Sequence, residues 1–136
     1  SGFWLHKPKA GPAQQYSIQL TYFDILKLNL SKVRLVMLLC CDGGAGNLSV
    51  GNAPRALFNA FLHAGARNII YSMAALPLVA VEGYTKTFFS LLGAGRRISE
   101  AHRHSILTLK ESEEVILNAF PIWGSIRAII NQVDRL

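Results

Sequence analysis

The stretch Val33-Arg34-Leu35-Val36-Met37-Leu38-Leu39-Cys40, followed by Cys41-Asp42-Gly43-Gly44-Ala45-Gly46-Asn47, decides how the rest of the chain is read. Its first half is almost continuously apolar and β-rich at its start, the pattern of a strand buried on both faces at the centre of a parallel sheet. Its second half is a glycine-rich turn that ends the strand.

Working outward, Phe3-Trp4-Leu5-His6 is a short apolar run broken by Lys7-Pro8-Lys9-Ala10-Gly11-Pro12, where two prolines and a glycine enforce a loop. Tyr16, Ile18 and Leu20 alternate with Ser17 and Gln19 as in a half-buried strand. Thr21 then caps a short helix bearing Phe23, Ile25, Leu26 and Leu28. Downstream, Pro54 occupies the first turn of a helix whose apolar face is Leu57, Phe58, Phe61 and Leu62, stopped by Gly65. The next strand is expected over Asn68-Ile69-Ile70-Tyr71-Ser72-Met73. A helix from Ala80 to Leu92 follows, with Val81, Tyr84, Phe88, Leu91 and Leu92 on one side and Gly93 and Gly95 at its end. Ser99 caps a further helix containing Ala101, Ile106 and Leu107. Ile122 to Ile130 reads as a final strand, at a sheet edge because Arg127 interrupts it. This order predicts an α/β domain with a mainly parallel sheet. With no repeat, low-complexity tract or dividing linker, residues 1–136 form one domain.

Composition narrows the function classes. The 136 residues suffice for one modest core, and 51% hydrophobic against 16% charged residues exclude disorder as the main state. The longest uncharged stretch, Ile69 to Val81, is too short for a helix to cross a bilayer and contains Pro77, so no membrane partner is expected. No arginine-flanked apolar leader is evident, and the expected setting is reducing and cytoplasmic. The two cysteines are adjacent, so neither a disulfide scaffold nor a structural zinc cage is available. The net charge is +6, but the 14 basic residues are scattered and form no stripe on a helix, so no nucleic-acid partner is expected.

In open α/β sheets ligands bind beyond the carboxyl ends of the strands, and His6, Cys41 and Ser72-Met73 occupy such ends. A thiol at the tip of a buried strand, followed by glycines and a helix, meets the demands on a nucleophile. The turn exposes the sulfur, and the glycines let a substrate carbonyl approach backbone N–H groups. A histidine at another strand's end could take the thiol proton. Composition alone leaves Cys41 open between this role and that of a small buried hydrophobe, and Cys40 points to the opposite side of its strand. The dinucleotide alternative fails where the third glycine of the fingerprint is Ser49, and no Gly-Lys-Ser/Thr is present for a P-loop. His63, His102 and His104 read as surface or helix-face residues, and two histidines at i,i+2 do not face one metal.

Leu20-Thr21-Tyr22-Phe23-Asp24-Ile25-Leu26 through Cys40-Cys41-Asp42 resembles, without a gap, the CHAT domain. That family is a caspase- and separase-like group of cysteine peptidases often joined to tetratricopeptide repeats. The resemblance resumes over Ala56-Leu57-Phe58-Asn59-Ala60-Phe61-Leu62-His63-Ala64-Gly65-Ala66-Arg67, runs in register from Ser72 through Phe88-Phe89 to Ser99-Glu100-Ala101, and closes at Pro121-Ile122-Trp123-Gly124. It implies a caspase-like three-layer sandwich, of which this chain carries only the C-terminal four or so strands. It also implies that the domain is N-terminally incomplete, with the sheet completed by a tetratricopeptide-repeat region of the same polypeptide or by a partner chain.

The resemblance further implies a cysteine endopeptidase cleaving protein or peptide substrates by a Cys-His dyad, without metal or organic cofactor. Cys41 falls on the family's nucleophile and His6 on its general base, with Asp42, Gly43, Ser72 and Met73 lining the substrate pocket. Two departures favour an alternative, a catalytically degenerate CHAT-like domain acting as a protein-interaction or regulatory module. Lys7 replaces the glycine expected after the histidine, and Met73-Ala74-Ala75-Leu76-Pro77-Leu78 replaces a tryptophan and its acidic neighbours.

Overall fold

A computed structural model describes residues 2–6, 17–39, 53–73, 76–112 and 123–130. Strands β1 (Gly2–His6) and β2 (Ser17–Thr21) pair antiparallel as a two-stranded sheet, with Gly2 opposite Thr21 and His6 opposite Ser17. A second sheet has the order β3-β4-β5, formed by Val36–Leu38, Asn68–Ser72 and Ile126–Ile130.

Helix α1 (Tyr22–Leu26) starts where the sequence places its cap. The Thr21 hydroxyl accepts from the Asp24 N–H at 3.3 Å, while the Asp24 carboxylate accepts from the Thr21 N–H at 3.0 Å and from its hydroxyl at 2.6 Å. Two backbone donors that the helix leaves unsatisfied are thereby paired. Of the apolar residues the helix was expected to carry, only Ile25 is buried; Phe23 is 71% exposed, Leu26 is exposed, and Leu28, also exposed, lies past the helix end at Leu26.

The segment from α1 to β3 is seated on the end of helix α2 (Ala53–His63). Leu30 N donates to Ala64 O at 2.8 Å, Arg67 N to Val33 O at 3.3 Å, and the buried Asn68 side-chain amide to Arg34 O at 2.7 Å. Asn29 Oδ1 accepts from both the backbone and the hydroxyl of Ser31, tightening the intervening turn. Gly65 ends α2 at φ +108°, a conformation that glycine adopts without the steric cost other residues meet.

Side-chain alternation along the strands separates two cores. Ile69 and Tyr71 of β4, with Val36 and Leu38 of β3, join Ile25, Phe58, Ala60 and Phe61 from α1 and α2. Ile70 and Met37 join the opposite core, built from Tyr84 and Phe88 of α3 (Leu78–Gly93), Ile98, Ala101 and Leu109 of α4 (Ile98–Lys110), and Ile126 of β5. Gly83 lets α4 come close, with Leu109 Cδ2 3.6 Å from where a Cβ would stand.

The α/β expectation is met, and among the described residues the three-stranded sheet is mixed, with one parallel and one antiparallel pair. β3 and β4 are parallel, whereas β4 and β5 are antiparallel. One helix after a strand returns the chain for a parallel neighbour. Here α3 and α4 follow β4 in succession, so the chain re-enters the sheet at the end where β4 finished, Ile126 opposite Ser72, and β5 runs the other way. The central strand among the described residues is β4, buried at four of its five positions, while β3 is half-buried. Among the described strands β5 lies at an edge of this sheet, as Arg127 suggested, and it begins at Ile126, after the turn at Gly124 and Ser125. Ser99 does not cap α4: Arg97 holds that position, its N–H donating to the Glu100 carboxylate at 3.3 Å, and Ser99 lies within the first turn. Lys110 sits 5.3 Å from the Trp123 ring centroid, joining the end of α4 to the approach to β5.

Candidate functional site

The parallel pair β3–β4 sets up the candidate site. Leu38 pairs with Tyr71, so the chain leaves β3 at the same end of the sheet at which β4 delivers Ser72 and Met73. Cys41 follows Leu38 by three residues in sequence. Cys41, Asp42 and Gly43 lie outside the described residues, as does Cys40. His6 ends β1, in the hairpin rather than in the sheet that carries β3 and β4.

Ser72 and Met73 are placed differently despite being adjacent. Ser72 closes β4 opposite Ile126 and is buried, with 6% of its surface exposed. Met73 is 50% exposed, and its N–H donates to Ser125 O at 2.9 Å. The side chain of Met73 is thus presented to solvent at the strand tip, whereas its backbone donor is engaged by the segment entering β5. Beyond it, Leu76 is fully buried and anchors the chain before α3. Phe58 and Tyr71 stack below this end of the sheet with ring centroids 3.8 Å apart, stiffening β4 against α2.

Among the histidines, His63 and His104 are exposed, in keeping with the sequence reading. His102 is not a simple surface residue. It is half-buried, and its Nδ1 lies 2.7 Å from the hydroxyl of the fully buried Tyr84. Burial, reinforced by the Arg127 cation, holds its pKa below the ordinary value of 6.5, and burial pushes the Tyr84 phenol upward. The signal available in sequence was spacing: His102 stands four residues after Ile98 and four before Ile106, on the inward ladder of α4.

Among the described residues, no three histidine, cysteine, aspartate or glutamate side chains gather as metal ligands, and no helix is long and apolar enough to cross a membrane. No match to the chain is found among curated proteins or among solved structures. The family model described as "CHAT domain" matches residues 1–130. The match spans all but the last six residues, and the chain belongs to the CHAT domain family.

Proposed function

We propose that the chain is a caspase/separase-like cysteine endopeptidase that cleaves protein substrates with Cys41 as nucleophile and His6 as general base. The observation carrying this reading is the β3–β4 register, Leu38 opposite Tyr71, which brings the chain leading to Cys41 to the strand end that bears Ser72 and Met73. The family match over residues 1–130 supports the caspase-like frame, and the same proposal includes a cytoplasmic setting and a tetratricopeptide-repeat region or partner chain as the domain's partner.

In this reading the imidazole takes the Cys41 proton, and the thiolate attacks the scissile carbonyl. Backbone N–H groups stabilise the resulting oxyanion. The imidazolium returns the proton to the leaving amine, and water then hydrolyses the thioester, regenerating the thiol. Asp42, Gly43 and Met73 line the pocket, with Ser72 supporting it from the strand.

A second reading, an inactive CHAT-like interaction or regulatory module, is favoured by one observation. The Met73 N–H is already donated to Ser125 O, so that donor is committed to the sheet instead of to a substrate. Alkylation of the whole chain by iodoacetamide, read by mass spectrometry at Cys41 separately from Cys40, distinguishes the two. A thiolate paired with imidazolium reacts rapidly below neutral pH and slows in His6→Ala. A Cys41 titrating at about 8.5, indifferent to His6, rejects the dyad.

A further inference from the structure

Helices α3 and α4 meet through a polar contact set within an apolar core. The Tyr84 hydroxyl and His102 Nδ1 are 2.7 Å apart, and the two rings meet edge-on with centroids 5.9 Å apart. Phe88, Ile98, Ala101 and Leu109 belong to the same core. α4 packs chiefly against α3, whose Tyr84 hydroxyl meets the imidazole, and also touches β5, whose exposed Arg127 adds a positive charge to the field at His102. On α4 itself, Glu100, Arg103 and His104 are exposed neighbours.

The neutral imidazole can adopt the tautomer in which Nδ1 accepts and the buried hydroxyl donates. In the imidazolium both ring nitrogens are donors. The hydroxyl must then act as acceptor, its own hydrogen loses this partner, and the new positive charge is partly dehydrated and repelled by that of Arg127.

We propose that the Tyr84–His102 contact is an acid-sensitive latch, closed while the imidazole is neutral and released on its protonation, so that α3 and α4 loosen from each other. The latch stands independently of the peptidase reading. Its sign follows from proton binding: the unfolded or opened chain binds the proton more readily than the closed one. Closure is complete above the ordinary histidine value and weakens as the pH falls from there toward the lowered native value.

Hydrogen exchange of the whole chain, followed by mass spectrometry between about pH 7.5 and about pH 5 and corrected for intrinsic exchange, tests this. Protection in α3 and α4 should fall by about tenfold for each pH unit by which the native value lies below 6.5, and by more than in α2 and β4. His102→Asn, whose amide can occupy the position of Nδ1, should retain the protection near neutrality and abolish the acid-induced loss. If that variant does not fold, the imidazole titration of the wild-type chain followed by NMR serves instead, and a value below 6.5 is expected. An undiminished acid loss in His102→Asn, equal losses in all helices and strands, or a wild-type His102 titrating at or above 6.5 would overturn the latch.

Discussion

Gly65 lies so close to Ser31 that a Cβ on it would stand 2.8 Å from Ser31 N and 3.0 Å from its Cα. The contact is backbone against backbone, so neither partner can move without disturbing the turn that feeds β3 or the end of α2. Gly65→Ala therefore meets both a positive φ of 108° and a clash. We expect it to destabilise the chain by about 2–3 kcal/mol, seen as a lowered urea midpoint with an unchanged slope. A midpoint within error of wild type would contradict the close approach.

Asn68 fastens the same region from within. Its amide donates to Arg34 O at 2.7 Å, linking the first residue of β4 to the segment entering β3. Asn68→Ala removes that donor from a fully buried position and should cost about 1–3 kcal/mol. Thermal unfolding of the variant measures the loss; an unshifted Tm would show that the link contributes nothing.

Phe88 fills the core between α3 and the sheet, stacked on Tyr84 with ring centroids 5.7 Å apart and fully buried. Phe88→Ala should cost about 3–5 kcal/mol, while Phe89→Ala, at an exposed neighbouring position, should change stability by less than about 0.5 kcal/mol. Equal effects of the two substitutions in denaturant titrations would show that the inward face of α3 is wrongly assigned.

Asp24 provides a pH signature at the start of α1. The Thr21 hydroxyl, and then the Thr21 N–H, hold its carboxyl below the ordinary value of 3.8, with a smaller contribution from Lys27 and some opposition from burial. The stabilisation is therefore present above that ordinary value, because both folded and unfolded carboxyls are ionised there. It is lost as the pH falls through the lowered folded value, where the unfolded chain has already taken up its proton. Thr21→Ala should flatten this part of the acid stability profile, and an unchanged profile would remove Asp24 from the cap.

Much of the local structure was legible in sequence because its causes are local. The Thr21 cap depends on a carboxylate three residues away, and the Gly65 stop on the conformational freedom of one residue. The candidate site was legible in a different way. His6, Cys41, Asp42 and Gly43 were reached through strand ends, a glycine-rich turn and family resemblance. Of these four, only the placement of His6 at the end of β1 falls within the described residues. The contrast between Ser72 and Met73 could not be read from their order, since it depends on β5 arriving alongside β4 from more than fifty residues away.

Amino-acid order by itself determined the succession of helices and strands, though not all their bounds, and the resemblance to the CHAT family, since periodicity, caps and motif spacing act over a few residues. Only the tertiary structure decided that β5 runs antiparallel, that Phe23 remains exposed, and that His102 turns inward to Tyr84. The reason is that apolar spacing shows which face of an element prefers burial but does not say which distant surface will cover it. Strand direction and the pairing of a buried hydroxyl with an imidazole are set when α3 and α4 fold back across the sheet.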